Sequence, residues 1–284
     1  MDRAAAPSAA PGLAHRVALA CVLEVSAGKP GNITPVHDFS DTTYADMVRS
    51  ALALAPTLAR PRALRRTVGE LIADGVEATA RVADANTNLG IVLLFAPLAR
   101  AEATREEDEP LRLAVQRVLA GLDVGDASAA FAAIVRAGPG GLGDVPEHDV
   151  RAPARATLRE AMVASAHRDS IASEYATGYA IVFDAGLPLL VEALGSGLGT
   201  IDAIVSLHVG LLAAYPDTLI MRKEGEAAAR AVSLAARQVL EGDRSVADLD
   251  ATLRADGNRL NPGATADLVA ATLLAALLSG VRLP

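Results

Sequence analysis

The sequence predicts an all-α fold, a single compact domain of close-packed helices, and three observations carry that prediction. Alanine and leucine dominate a 284-residue chain that is 51% apolar but only 3% aromatic, a composition that favours helix almost everywhere. Apolar residues recur at helical spacing over Glu226–Leu240 (Ala227, Ala231, Leu234, Ala235, Leu240) and again over Ile201–Leu212. No run alternates apolar and polar residues in the way a half-buried strand would. The expected architecture is ten to thirteen helices, which abundant alanine allows to pack closely.

In chain order, the Ala/Pro-rich segment 1–11 reads as a disordered lead-in to a helical catalytic domain over 12–284. Thr43-Tyr-Ala-Asp46 and Ser245-Val-Ala-Asp248 have the spacing of capping boxes. Asn86–Asn88 precede the apolar run Leu89–Leu98, and Asn261-Pro262 precede the run Leu268–Leu278. Both pairs read as helix starts, with Asn261 as N-cap and Pro262 at the first helical position. Glu106–Glu109 is a solvated acidic loop, and Gly138–Gly143 and Gly195–Gly199 are irregular connections inside one domain. On a helix, Ser170, Glu174, Thr177 and Asp184 share a face. A carboxylate there points to a cleft, or to a solvated stripe or an internal pair with Arg168.

Charge and length exclude several function classes. A net charge of −8 argues against a general nucleic-acid binder, which must neutralise phosphates. The apolar runs are well short of the ~20 residues that span a bilayer, and no basic stretch followed by an apolar one marks an export signal. A single cysteine, Cys21, forms no internal disulfide and no metal-binding pair. The expected setting is the cytoplasm.

The rare residues are clustered. Of 26 basic residues only Lys29 and Lys223 are lysines, and the asparagines are Asn32, Asn86, Asn88, Asn258 and Asn261. All seven fall in four segments: Gly28-Lys-Pro-Gly-Asn32, Asp84-Ala-Asn-Thr-Asn-Leu-Gly90, Asp217–Lys223 and Asn258-Arg-Leu-Asn-Pro-Gly263. Turn and cap chemistry explains asparagine and glycine wherever helices meet, but it gives lysine no reason to join them. Helix starts offer free N–H groups and a positive dipole end to phosphate oxygens. Lys29, Arg222 and Lys223 add charge, and Asp38, Asp41, Asp84 and Asp217 offer hard oxygens to Mg²⁺. Together these describe a nucleoside-triphosphate site without a P-loop.

Ser26-Ala-Gly-Lys-Pro-Gly-Asn32 followed by His37-Asp38 and Asp41, then Asn86-Thr-Asn-Leu-Gly90, then Asn261-Pro-Gly-Ala-Thr-Ala-Asp267-Leu resemble, in order, motifs of the triphosphoribosyl-dephospho-CoA synthase family (the CitG/MdcB type). The resemblance runs over about residues 15–280. The second motif departs from the family's usual Asn-Thr-His-Lys-Gly, carrying Asn88 and Leu89 instead, as in an archaeal and methylotroph-like branch. The resemblance implies an all-helical transferase that joins the 5-triphosphoribosyl group of ATP to a hydroxyl of 3′-dephospho-CoA or a related cofactor precursor, releasing adenine. Lys29, Gly31, Asn32, Asn86, Thr87, Asn88, Gly90, Arg222, Lys223, Asn261 and Gly263 are the expected nucleotide-binding residues, with Mg²⁺ accompanying ATP. Breaking the N-glycosidic bond creates an oxocarbenium-like transition state, and the acceptor hydroxyl needs a base. Asp38 or Asp41 is expected in one of these tasks, with Glu174 a further catalytic candidate. The expected partners are small molecules, with no nucleic acid and no membrane; a homodimer is left open. The rival readings are a Mg²⁺-dependent N-glycoside or ADP-ribosyl-type hydrolase and a non-catalytic helical nucleotide-binding protein.

Overall fold

The computed structural model describes residues 12–59, 65–85, 87–138 and 149–283. The expected lead-in, Asn86 and positions 139–143 of the glycine-rich loop lie outside the described residues. Among those residues the chain forms fourteen α-helices and no strand. Three of them, α7 (Leu158–Ser165), α8 (Ser170–Thr177) and α11 (Thr218–Glu224), span only seven or eight residues. They are too short to show a clear period, which is why the count exceeds ten to thirteen.

Two helices apolar on every side form the centre: α4 (Leu89–Thr104) and α14 (Gly263–Leu278), which pack on each other. All-round apolarity is the mark of a buried helix. Around them α1 (Leu13–Ser26) packs on α14 and on α2 (Tyr44–Ala59), α2 on α3 (Val68–Ala80), and α3 on α6 (Val124–Ala137). α5 (Leu111–Ala120) packs on α4, and α9 (Leu187–Gly195) follows a π-helical turn, Ile181–Gly186, that lies against α14. A smaller core gathers the end of α10 (Thr200–Ala214), α11, α12 (Glu226–Glu241) and α13 (Val246–Arg254) around Leu212, Ile220, Val232, Leu249 and Leu253. The periodic segments 201–212 and 226–240 thus lie in α10 and α12, and both expected capping boxes form. Among the described residues no single helix is long and apolar enough to cross a membrane.

The central packing rests on two helix defects that complement each other. Pro97 lies inside α4 and has no N–H, so the carbonyl of Leu93 loses its intrahelical donor. Tyr175 Oη donates to Leu93 O at 2.6 Å and Tyr179 Oη to the neighbouring Leu94 O at 2.7 Å, both rings fully buried. To bring Tyr179 there the chain leaves α8 at Gly178 (φ 70°) and holds Tyr179 itself at φ 62°. A non-glycine residue in that region costs on the order of 1–3 kcal/mol. The break frees two N–H groups, and Glu174 accepts both, from Ile181 at 2.9 Å and Val182 at 3.0 Å.

That finding corrects two expectations. Glu174 is fully buried and occupied with backbone, neither facing a cleft nor paired with Arg168. The face expected through Asp184 is interrupted at Gly178; Asp184 is exposed and pairs with Arg112. Read from urea unfolding, Tyr175→Phe should lower stability by about 1–3 kcal/mol, the cost of an unsatisfied buried carbonyl. Tyr179→Phe should lower it by about 0.5–1.5 kcal/mol, the cost of one hydrogen bond to a carbonyl that keeps the Leu98 N–H within its helix. Burial raises Glu174 from 4.5 to about 7, against the pull of its two N–H donors. The unfolded chain ionises this group near 4.5, so its contribution is greatest below that pH. About 3 kcal/mol should be lost as pH rises from 4.5 to 7. In paired unfolding measurements at pH 5 and 7.5, Glu174→Gln should lack this slope.

Candidate active site

A cleft of about 650 Å³ opens where the starts of α4, α8, α11 and α14 meet the loop between α1 and α2. Its position follows from local ties. In the Gly28–Asn32 turn, Gly31 adopts φ 73°, open to glycine, and its N–H donates to Asp250 Oδ1 of α13 at 2.8 Å. Arg254, paired with Asp250 at 2.8 Å, donates to the carbonyl of Asn32 at 2.6 Å. Asn32 Nδ2 then donates to Asn261 Oδ1 at 2.7 Å, joining two motifs 229 residues apart. The side-chain oxygen of Asn32 is buried on the cleft wall without a hydrogen-bond partner.

A second tie fixes the cation-bearing side. Asp217 Oδ1 caps α11 by accepting from Leu219 N (2.9 Å) and Ile220 N (3.0 Å), while Oδ2 accepts from Thr265 N (2.7 Å) and Thr265 Oγ1 (2.8 Å) in the first turn of α14. Asp169 caps α8 and pairs with Arg222 at 2.6 Å. Ser170 and Thr218 hydrogen-bond across the two helix starts. By contrast, the residues at the N-caps of α4 and α14, Asn88 and Pro262, make no side-chain cap. Both of these starts line the cleft, through Asn88–Ile91 and through Gly263 and Ala264. Arg168 and Lys223 also line it and make no ion pair with a described residue. Two helix starts whose N-cap residues make no side-chain cap, beside two cations with no ion pair among the described residues, suit a polyanion.

Nine of the expected residues therefore share the cleft: Asn32, Asp41, Thr87, Asn88 and Gly90 on one side, and Arg222, Lys223, Asn261 and Gly263 on the other. The other expected residues that the structure describes do not line it. Lys29 is fully buried, donating to the Glu24 carbonyl and pairing with Glu24 Oε1 at 2.8 Å, so it stands behind the wall and offers no ammonium to a phosphate. Gly31 shapes the turn. Asp38 is exposed and occupied with Tyr44 N at 2.6 Å. Asp84 is exposed away from the cleft, and Asp217 has its oxygens committed to four donors. Of the four aspartates expected around a metal, only Asp41 reaches the cavity; among the described residues no three His, Cys, Asp or Glu side chains form a metal cluster. Asn261 is not the N-cap of α14: Pro262 is, which leaves the Asn261 side chain to meet Asn32.

Sequence reasoning passed over Glu24, Arg168 and Asp267, all on the wall. Glu24 keeps Oε2 free of hydrogen bonds. Asp267 accepts none from any described residue and packs against Gly90, where any Cβ would collide with its carboxylate. Burial first, then the charges of Glu24, Asp217 and Asp169, hold Asp267 well above the usual carboxylate range, opposed by Arg222. Burial also depresses His208, behind the Lys29 turn, to about 3.

The family model CitG, described as ATP:dephospho-CoA triphosphoribosyl transferase, matches residues 10–283. A protein of Stutzerimonas stutzeri (strain A1501), assigned as a 2-(5″-triphosphoribosyl)-3′-dephosphocoenzyme-A synthase, is 28% identical over 94% of this chain and 92% of its own length. A crystal structure of a protein from Archaeoglobus fulgidus, assigned as a triphosphoribosyl-dephospho-CoA synthase, superposes with a TM-score of 0.65 at 26% identity, covering 82% of this chain and 99% of that one.

The two lysines should separate by phenotype. Lys29→Met strands the buried Glu24 charge and should cost about 3–5 kcal/mol in urea unfolding, largely recovered in Glu24→Gln/Lys29→Met. Lys223→Ala should leave the unfolding midpoint unchanged and weaken nucleotide binding, measured by titration calorimetry.

Proposed function

This chain belongs to the ATP:dephospho-CoA triphosphoribosyl transferase family, and we propose that its cleft is where the 5-triphosphoribosyl group of ATP passes to a hydroxyl of 3′-dephospho-CoA with release of adenine. The observation that carries this reading is the convergence of the starts of α4 and α14, whose N-cap residues make no side-chain cap, with Arg168, Arg222 and Lys223 in one cavity. Membership sets aside the hydrolase and the non-catalytic binder. The family's reaction unites two small-molecule substrates, and the cytoplasm is the compartment we assign.

Arg168 and Lys223 hold the triphosphate, with the start of α14 supplying the backbone N–H of Ala264. Arg222 is steered by Asp169 and supports them. Asp41 is the carboxylate that fits Mg²⁺, which needs one or two carboxylates in addition to phosphates and water. When bound, the ion offsets triphosphate charge. Glu24 replaces Asp38 as the proposed base: Lys29 is its counter-ion, and its second oxygen is available to take the acceptor's hydroxyl proton. The carboxylates also stabilise positive charge developing at C1′. The apolar side of the cleft, with Leu93, Phe131, Ile134, Met162 and Ile171, gives the acceptor's uncharged arm a dry surface.

Incubation with ATP, Mg²⁺ and 3′-dephospho-CoA should release adenine together with a triphosphoribosylated product by mass spectrometry, and chelation by EDTA should abolish both. Adenine release at the same rate without acceptor would overturn the transferase assignment. Glu24→Gln should lower kcat by about 100-fold or more, the usual scale of a lost general base. Arg168→Ala should raise the KM for ATP by about tenfold, matching a lost charge-assisted contact.

A further inference from the structure

The reaction needs a proton as well as a place to put one. Adenine leaves with the electron pair of the C1′–N9 bond, and as a bare anion it is a poor leaving group. Protonation at N7 makes it neutral on departure. Adenine presents N7 as an acceptor beside its N6 amino donor along one edge. A site reading that edge needs a donor next to an acceptor.

The cleft wall holds such a pair. The Asn32 side-chain oxygen is a buried acceptor with no partner, its orientation fixed by the bond from Nδ2 to Asn261. Asp267 lies on α14, one turn beyond Gly263, with a carboxyl group that no described donor touches. The two wall carboxyl groups have unlike surroundings. Glu24 has Lys29 as counter-ion and Asp267 has none. The groups that act on Asp267 are Glu24 and Cys21 from α1, Asp217 at the start of α11 and Arg222 in its last turn, and Asp169 at the cap of α8. Arg222 alone among them favours the anion, and it is already paired with Asp169. The start of α4 also favours the anion, but by only about 0.3–1 kcal/mol, less than burial beside three carboxylates. Two carboxyl groups on one wall, one with a lysine counter-ion and one with none, suit a base and an acid.

We propose that Asp267 is the catalytic acid that protonates adenine at N7, and that Asn32 accepts a hydrogen bond from the adenine amino group to present that edge. This rests on the transferase reading above. In one turnover the C1′–N9 bond breaks, its electron pair passes to the purine, and the Asp267 proton moves to N7. The acceptor oxygen forms the C1′–O bond and its proton goes to Glu24. The two carboxyl groups hold one proton between them before and after, and water returns it from Glu24 to Asp267.

The test compares ATP with N7-methyl-ATP, whose purine is already cationic and leaves without protonation. Asp267→Asn should reduce kcat on ATP by about 100-fold or more. The ratio of turnover on N7-methyl-ATP to turnover on ATP should rise by a similar factor in Asp267→Asn and in Asp267→Ser. In the wild type, kcat/KM on ATP should fall at high pH as the acid ionises, and this limb should be absent with N7-methyl-ATP. Asn32→Ala should erase the preference for ATP over purine riboside triphosphate, which lacks the amino group. Equal losses on both nucleotides in the Asp267 variants, or a high-pH limb that persists with N7-methyl-ATP, would overturn the assignment. Wild-type protein that releases no adenine with ATP and dephospho-CoA would instead overturn the transferase reading.

Discussion

The cleft depends on one carboxylate that never enters it. Asp217 is 2% exposed, and both of its oxygens are taken by donors from two helices. Burying a carboxylate is costly unless its lone pairs are filled, and four donors fill them here. The result is a rigid joint between the starts of α11 and α14. Because the joint sits at the first turn of each, it fixes Arg222 and Lys223 relative to Gly263 and Asp267. Everything the site needs from residues far apart in sequence is positioned by that junction and by its counterpart, the bond from Asn32 to Asn261.

The distribution of caps around the cavity decides what kind of ligand it accepts. Four helix starts meet there. Asp169 and Asp217 consume the N–H groups of α8 and α11, so those ends are electrostatically spent. Asn88 and Pro262 give α4 and α14 no such cap of their own; Asp217 also takes the Thr265 N–H of α14, which leaves the Ala264 N–H of that first turn without a partner among the described residues. Elsewhere the chain closes α3, α6, α7 and α13 with full capping boxes. The N-cap residues of α1, α5, α9, α10 and α12 also make no side-chain cap, so what sets the starts of α4 and α14 apart is their place on the cleft wall.

Much of this was legible in the sequence, and the failures have physical causes. The all-α class followed from composition and from the periods in α10 and α12. The gathering of lysine and asparagine marked Asn32, Asn88, Lys223 and Asn261, which share the cavity. What the sequence could not distinguish is an aspartate that caps a helix from one that meets a ligand, since both precede a helix start. Asp38 and Asp217 belong to the first kind and Asp41 lines the cavity. Glu174 misled for a different reason: its partners are N–H groups freed by a break at Gly178, and no side-chain pattern announces that break. Asp267 lay inside a recognised motif but reads as one more polar position until Gly90 is seen pressed against it.

The two lysines in an arginine-rich chain trace to two different constraints. Lys29 occupies a fully buried slot between the carbonyl and the carboxylate of Glu24, where a compact ammonium fits and a planar guanidinium fork does not. Lys223 is exposed at the mouth of the cavity, where a long flexible stem lets a point charge follow a phosphate. The first nevertheless serves the second. A triphosphate approaching Glu24 and Asp267 meets a wall that would repel it with two negative charges. Lys29 offsets one, and burial raises the Asp267 carboxyl above the usual carboxylate range, which disfavours the other. A residue that touches no substrate thereby sets the field in which the cations at the mouth can hold one.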